Sequence, residues 1–276
     1  MRWIFGLFLF CSFSFSVPNI QYPWLKTDTS GQSIEERISP PIGYERRTED
    51  PVSFAYWLRN LPLKAGKPEV HLYDGRRKFN QSAHAAILDI DVGTRDLQQC
   101  ADAVMRLRAE YLFSQGKDQN LHFNFTSGDR ADWSRWQQGY RPKVSGNQVT
   151  WSQTASSSRS YANFKAYLQT VFTFAGTFSL DKEMQAITDP CSIQPGDVFI
   201  QGGFPGHAVI VLDVVHEVDT GDPLFMLAQS YMPAQEIHIL KNPQHPTLSP
   251  WYELPRGALI TPEWTFPAQS LKRFQQ

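Results

Sequence analysis

The chain has little net charge, few cysteines and no long apolar run in its interior. Its 276 residues carry 26 Lys and Arg against 27 Asp and Glu, a formal net charge of -1. This balance excludes the strongly basic profile of a nucleic-acid-binding protein, so we predict no nucleic-acid partner. Beyond the amino terminus, no apolar stretch approaches the ~20 residues of a membrane-spanning helix. We therefore expect no stable membrane span in the mature chain.

Three cysteines are too few for a disulfide-supported scaffold, so side-chain packing must stabilise the fold. If the amino-terminal segment that holds Cys11 is removed, Cys100 and Cys191 remain. In an oxidising compartment these two residues could form one disulfide, or Cys100 could stay a free thiol. The sequence leaves both alternatives open.

The amino terminus has the pattern of a secretory signal peptide. A positive start at Met1-Arg2 precedes an almost wholly apolar stretch at residues 3–15, and small residues occupy the positions that a signal peptidase reads. We predict a signal peptide at 1–16 and an exported protein, periplasmic or secreted. Cys11 would be the site of a lipid anchor, but the bulky residues before it favour simple export. An uncleaved membrane anchor is the other alternative.

The rest of the chain divides into an arm and one domain. Residues 17–50 are rich in Pro, Ser and charge, and predict an extended arm with little regular structure. Residues 51–276 predict a single α+β domain. Helices are expected at 53–61, 97–114 and 161–175. Strands are expected at 85–92, 121–125, 197–200, 208–215, 224–230 and 236–240, with a polar hairpin or loop at 141–158. The last four strands, separated by turn residues, are typical of a small antiparallel sheet.

A histidine at the start of a predicted strand is the candidate base. His207 follows the glycine-rich loop 202–206, and imidazole is the side chain whose ordinary pKa of ~6.5 lies closest to neutral pH. If the strand that His207 opens forms an antiparallel hairpin with the next strand, with a bulge or a longer loop, Gln229 or Ser230 comes beside this ring and could orient it. The alternative is a histidine that only caps the strand.

A cysteine at the start of a predicted helix is the candidate nucleophile. With Asp96 as the cap, Cys100 falls in the first turn, where the helix dipole favours a thiolate and free N–H groups could stabilise an oxyanion. Gln98 and Gln99 could add an amide donor. Alternatively, Cys100 lies on the apolar stripe of this helix as a small buried side chain. Cys191 opens no helix and is the poorer candidate.

Several of these segments resemble the NlpC-type and CHAP-type cysteine hydrolases. The resemblance is carried by Q-Q-C-A-D-A-V at 98–104, G-D-V-F-I at 196–200, G-H-A-V-I-V at 206–211 and A-Q-S-Y at 228–231. It implies a papain-like α+β fold, with a helical part packed on a small antiparallel sheet, and activity on peptide or amide bonds, often in bacterial cell walls. It also implies that Cys100 is the nucleophile, His207 the base, and Gln229 or Ser230 the third group.

Nearly the full length resembles an exported family that is defined by a domain of unknown function and found mainly in Bacteroidetes. The matching runs are W-L-R-N-L-P-L at 57–63, D-I-D-V-G-T-R-D-L-Q-Q-C-A-D-A-V-M-R-L-R-A-E-Y-L at 89–112, G-H-A-V-I-V at 206–211 and Q-S-Y-M-P-A-Q-E at 229–236. This second resemblance implies export but no activity.

Other patterns point to a ligand or exclude one. Trp133, Trp136 and Tyr140 form an aromatic cluster that could stack on a sugar ring or a peptide stem, or could belong to the core. The remaining histidines have no ligand spacing with Cys or carboxylates, so we predict no metal site. The glycine-rich loop runs into a strand and not a helix, unlike a phosphate-binding loop, and we predict no cofactor.

Two functions follow as hypotheses. The first is an exported cysteine amidohydrolase or peptidase that acts on cell-wall peptide or amide bonds. The second is a non-catalytic exported binding or scaffold protein with a papain-like shell, in which Cys100 bonds to Cys191 and the aromatic cluster contacts glycan. A free and reactive Cys100 favours the first hypothesis.

Overall fold

The computed structural model describes residues 22–25 and 31–275. The signal peptide expected at 1–16 and Cys11 lie outside these residues, and so does part of the arm. Within the described residues no helix is long and apolar enough to cross a membrane.

Six α-helices lie in the described part of the chain. They are α1 Ile34–Arg37, α2 Phe54–Arg59, α3 Cys100–Ser114, α4 Trp133–Gln137, α5 Tyr161–Phe174 and α6 Thr177–Glu183. The helices expected at 53–61, 97–114 and 161–175 are confirmed as α2, α3 and α5. The arm is more regular than expected, because it contains α1 and the strand Tyr44–Arg46.

Helix α3 begins three residues later than the sequence indicated. Its N-cap is Gln99, whose backbone N–H donates to the Asp102 carboxylate at 3.1 Å. The expected cap, Asp96, instead accepts hydrogen bonds from the Gln99 side chain at 2.9 Å and from the backbone N–H of Ala234 at 2.7 Å. Cys100 is therefore the first residue of the helix, still within the first turn.

Fifteen strands lie in the same residues. They are β1 Tyr44–Arg46, β2 His84–Ile87, β3 His122–Asn124, β4 Arg130–Asp132, β5 Tyr140–Ser145, β6 Gln148–Gln153, β7 Gln185–Ala186, β8 Val198–Gln201, β9 His207–Glu217, β10 Pro223–Gln229, β11 His238–Leu240, β12 Trp251–Glu253, β13 Leu259–Ile260, β14 Thr265–Phe266 and β15 Leu271–Arg273. The hairpin expected at 141–158 is confirmed as β5 and β6.

The central sheet is larger than the small sheet that the sequence predicted. It has nine strands in the order β2-β11-β10-β9-β8-β15-β7, with β1 also on β9 and β12 also on β10, and its pairs are antiparallel. The four strands expected in the last third form its centre. The strand expected at 85–92 joins it as β2. The sheet is larger because β1, β7, β12 and β15 also join it, and these strands of two or three residues are too short to give a clear alternating pattern.

The hairpin of β9 and β10 brings His207 and Gln229 to the same end of this strand pair. Met226 pairs with Asp213 but Leu227 pairs with Val211, so β9 carries one extra residue in a bulge. Beyond the bulge Ala228 pairs with Ile210, which places the first residue of β9 near the last residue of β10. The expected bulged hairpin is therefore confirmed.

The sheet is covered on both faces, which explains the continuous apolar run of β9. Ile210 and Leu212 belong to the large core that includes α3 and α5, whereas Val209 and Val211 face a smaller core. The carboxy-terminal segment covers that smaller core with Leu259 and Phe266. Full burial of each such side chain contributes about 1.5–3 kcal/mol. The strand is therefore a rigid support for the residue at its start.

A buried carboxylate fixes the arm to the sheet. Asp213, at the bulge of β9, accepts hydrogen bonds from Nε of Arg46 at 2.7 Å and from Nε of Arg59 at 2.9 Å. Arg46 belongs to β1 and Arg59 ends α2. Because a buried charge requires a partner, this pair of guanidinium groups holds the arm and α2 against β9.

Candidate functional site

Cys100 lies at the edge of a cavity of about 310 Å³. The cavity is lined by the start of α3, by the loop before β9 and by residues 175–178 at the start of α6. Cys100 is 6% exposed and has a free thiol, while Cys191 is exposed and also free. The disulfide alternative is therefore not realised in this structure.

The first turn of α3 presents backbone donors to this cavity. Gln99, Cys100, Ala101 and Asp102 all line it, and the Gln99 side chain makes no capping hydrogen bond to the first-turn amides. The first N–H groups of a helix lack intrahelical acceptors and carry partial positive charge. This end of the cavity can therefore stabilise an oxygen that acquires negative charge.

Burial keeps the Cys100 thiol protonated in the resting structure. It raises the pKa of Cys100 to about 12; the residue's own backbone N–H opposes this rise and the nearby Asp102 adds to it. Burial also raises the pKa of Asp102 well above its ordinary value. The resting thiol is consequently neutral at physiological pH.

The opposite wall of the cavity is the glycine-rich loop that leads into β9. Gly203, Phe204, Pro205 and Gly206 line the cavity, and the carbonyl of Gly203 accepts a hydrogen bond from Thr177 Oγ1 at 3.3 Å. A Cβ at Gly206 would lie 2.3 Å from Thr177 Oγ1 and 2.5 Å from the Gly203 oxygen. The close approach of backbone here needs a residue without a side chain.

His207 follows this loop directly and is fully buried. Its Nε2 lies 2.9 Å from Oε1 of Gln229, and its Nδ1 has no hydrogen-bond partner among the described residues. Burial lowers the pKa of His207 to about 4; the positive charge of Lys78 also lowers it, and the contact with Gln229 opposes both. The imidazole is therefore neutral at physiological pH, with one ring nitrogen free.

Tyr231 packs against the candidate base. Its ring centroid is 4.7 Å from that of His207. Burial raises the pKa of Tyr231, and the charges that Cys100 and Glu263 carry when ionised add to this rise. No hydrogen bond joins Cys100 to His207 within the described residues. Tyr231 therefore packs against His207, while Cys100 reaches the neighbourhood of His207 through the cavity that it shares with Gly206.

Ser230 takes a different place from the one that the sequence considered. Its hydroxyl lies 2.8 Å from the carbonyl of Gln98 and 2.7 Å from that of Gln235, and it accepts from the backbone N–H of Gln235. It therefore joins the residues before α3 to the end of β10, while Gln229 contacts the imidazole. Gln98 itself accepts from Arg106 at 2.8 Å through its side-chain oxygen.

The aromatic cluster expected to bind substrate lies away from this cavity. Trp133 is 0% and Trp136 is 5% exposed, and Tyr140 is half-buried. The Trp133 ring packs against Phe113, Phe164 and Tyr167. Neither indole presents a face to solvent, so these two side chains act as core residues in this conformation.

Sequence reasoning missed the groups behind Gln229. Its Nε2 donates to Glu263 at 2.7 Å, and Nζ of Lys78 pairs with the same carboxylate at 2.5 Å. His238 lies 3.3 Å from that lysine. These residues come from three distant parts of the chain and form no local motif. No group of three or more His, Cys, Asp or Glu in the described residues could hold a metal ion.

The fold and the cavity define an α+β protein that holds a free cysteine at a helix start and a buried histidine nearby. Residues 34–273 match the family model described as Domain of unknown function (4846), and the chain belongs to that family. No curated protein and no solved structure matches the chain.

Proposed function

We propose that the protein is an exported cysteine hydrolase with a papain-like arrangement that cleaves peptide or amide bonds, of the kind found in cell-wall peptide. One observation carries the proposal. The buried His207 contacts Gln229 through Nε2, its Nδ1 has no partner among the described residues, and the residue before it, Gly206, lines the same cavity as Cys100 at the start of α3. Nucleophile, base and orienting amide are the three parts that such catalysis needs.

In the proposed reaction, Nδ1 of His207 takes the proton of the Cys100 thiol as the sulfur attacks the carbonyl carbon. The carbonyl oxygen becomes negative and receives hydrogen bonds from the first-turn amides of α3. The carbon–nitrogen bond then breaks, and the imidazolium gives its proton to the leaving amine. Water next attacks the thioester, with His207 again as base, and releases the carboxylic acid and the free thiol.

This reaction requires the imidazole and the thiol to come into contact when substrate enters. Both groups are neutral in the resting structure, so transfer of the thiol proton accompanies attack instead of preceding it. Displacement of Tyr231, which is half-buried and packs against the His207 ring, would free that side of the imidazole for the approach of the thiol. Catalytic contacts often tighten only in the substrate complex.

The experiment compares turnover of purified muropeptides by the wild-type protein, Cys100→Ser and Cys191→Ser. We expect Cys100→Ser to abolish amine release, because serine in this site lacks a nucleophile of comparable strength. Cys191→Ser is the matched control and should keep full activity, since Cys191 is exposed and lies outside the cavity. Equal turnover by wild type and Cys100→Ser would refute the proposal.

The second candidate is a non-catalytic exported binding protein. It is favoured by the neutrality and burial of both Cys100 and His207, which resemble ordinary core residues in these respects. Under this proposal the cavity binds a peptide without cleaving it. Binding of muropeptides by the wild-type protein, with no product released after long incubation, would support this candidate over the hydrolase.

A further inference from the structure

A buried polar network extends from His207 into the protein, on the side of the ring away from the unpartnered Nδ1. It consists of Gln229, Glu263, Lys78 and His238. His207, Gln229, Lys78 and His238 are buried, and the Glu263 carboxylate is largely so. Such an ordered set of buried polar groups costs desolvation energy unless each hydrogen bond has a defined donor and acceptor.

Glu263 determines the orientation of the Gln229 amide. The carboxylate forms an ion pair with Lys78 and can only accept hydrogen bonds, so the group of Gln229 that lies 2.7 Å away must be its NH₂. The reversed amide would place two oxygens in repulsive contact. Oε1 of Gln229 therefore faces His207.

His238 supports the same orientation. Its Nδ1 lies 2.8 Å from the backbone carbonyl of Glu236, which can only accept, so Nδ1 carries the proton. Burial, together with the charge of Lys78, lowers the pKa of His238 well below its ordinary value, so its Nε2 is an acceptor. That nitrogen lies 3.4 Å from Nε2 of Gln229 and 3.3 Å from Nζ of Lys78, both of which are donors. Every hydrogen bond of the network then joins one donor to one acceptor.

We propose that Glu263 is a positioning residue that fixes the tautomer of His207 through Gln229. Because Gln229 presents an oxygen, Nε2 of His207 must donate, and the neutral ring carries its proton there. Nδ1 is then an unprotonated nitrogen with a free lone pair. The catalytic meaning of this tautomer rests on the proposed function, in which the Nδ1 lone pair accepts the thiol proton.

The test records long-range ¹H–¹⁵N correlation spectra of full-length protein labelled with ¹⁵N-histidine at neutral pH. The chain has 7 histidines, and the His207 signals are identified by their loss in His207→Gln. We expect wild-type His207 to be the Nε2–H tautomer. In Glu263→Gln the side chain at 263 can donate as well as accept, so only the longer contact of 3.4 Å with His238 still favours the original amide orientation, and the Nδ1–H tautomer should appear.

Glu236→Gln is the matched control. Glu236 is also a buried glutamate paired with a lysine, Lys64, but its side chain does not contact Gln229. We expect this variant to keep the wild-type His207 tautomer. An Nδ1–H signal for wild-type His207 would overturn the proposal, and so would an unchanged tautomer in folded Glu263→Gln. The wild-type spectrum alone decides the first point if Glu263→Gln does not fold.

Activity separates this proposal from the proposed function. If the protein hydrolyses muropeptides, Glu263→Gln should lower kcat by about 100-fold, the lower end of general-base catalysis, with KM nearly unchanged. If the tautomer shifts as expected but wild type and Cys100→Ser release product equally, the hydrolase proposal fails and the positioning role of Glu263 stands. If hydrolysis depends on Cys100 but the tautomer does not depend on Glu263, the hydrolase proposal stands and the positioning role of Glu263 fails.

Discussion

The ring of Tyr231 lies against the imidazole of His207, with centroids 4.7 Å apart. Trp264 at 5.3 Å and Phe266 at 5.6 Å complete an aromatic enclosure around the same imidazole. The enclosure keeps water away from the imidazole. Because the charged imidazolium needs hydration more than the neutral ring does, this burial lowers the pKa of His207. This enclosure has consequences for stability as well as for reactivity.

Stability should depend on pH through His207. Its folded-state pKa of about 4 lies below the ordinary value of 6.5, so the unfolded chain binds the proton first as the pH falls. The contribution of the neutral His207 ring to the free energy of unfolding is complete above about pH 6.5 and is lost as the pH falls toward 4. At about 1.4 kcal/mol for each pKa unit, the loss is roughly 3 kcal/mol.

The measurement is the free energy of unfolding by urea for wild type and His207→Gln at pH 7 and at pH 4. Other titrating groups, including His238, are present in both proteins, so the difference between the two isolates His207. We expect wild type to lose roughly 3 kcal/mol more of its free energy of unfolding between pH 7 and pH 4 than His207→Gln does. A difference that does not change with pH would contradict the low pKa.

The two described cysteines should differ strongly in alkylation. Only the thiolate reacts, and a pKa raised from 9.0 to about 12 lowers the thiolate fraction of Cys100 about 1000-fold at neutral pH. We expect iodoacetamide to modify the exposed Cys191 quickly and Cys100 slowly, as followed by peptide mapping. In denaturant both should react alike. Equal rates in the native protein would mean that Cys100 is an activated thiol at rest.

Gly206→Ala should destabilise the protein by about 1–3 kcal/mol, the usual range for an overpacked site. The added Cβ meets the backbone oxygens of Gly203 and Gln201 as well as Thr177 Oγ1, and backbone cannot move aside as a flexible side chain can. Gly257→Ala is the control, because a Cβ there meets no atom within 4 Å. Urea unfolding of both variants tests this, and equal stabilities would show that the loop adapts freely.

Phe204 lines the cavity while its side chain is 93% exposed. Replacement by serine should change stability by no more than about 0.5 kcal/mol, as for other surface positions, but should weaken binding of muropeptides. Phe79→Ser is a matched control, since Phe79 is 104% exposed and lies outside the cavity. Titration calorimetry with Cys100→Ser protein gives the affinities without turnover. Equal affinities for both variants would exclude a role of Phe204 in binding.

Local patterns were sufficient for the elements that carry the site. The three- and four-residue spacing of apolar side chains identified α5, because this helix buries one face at that period, whereas α3 was predicted from an expected cap at Asp96 and is buried on nearly all sides. Turn residues between short apolar runs identified β8 to β10, and antiparallel pairing predicted Gln229 or Ser230 beside His207, of which the structure selects Gln229. These inferences depend on interactions between residues that are close in sequence or joined by one hairpin.

Local sequence patterns were enough to predict the main helices, the central hairpin and the position of Cys100 in a first turn, since backbone geometry and hydrophobic periodicity act locally. Long-range packing was needed to show that Trp133 is core, that Ser230 binds the residues before α3, and that Glu263 lies behind Gln229. Glu263 is a single carboxylate in the irregular segment between β13 and β14, so no repeating sequence pattern indicates its partner. Its role arises when chain folding removes water and brings the donors of Gln229 and Lys78 within reach.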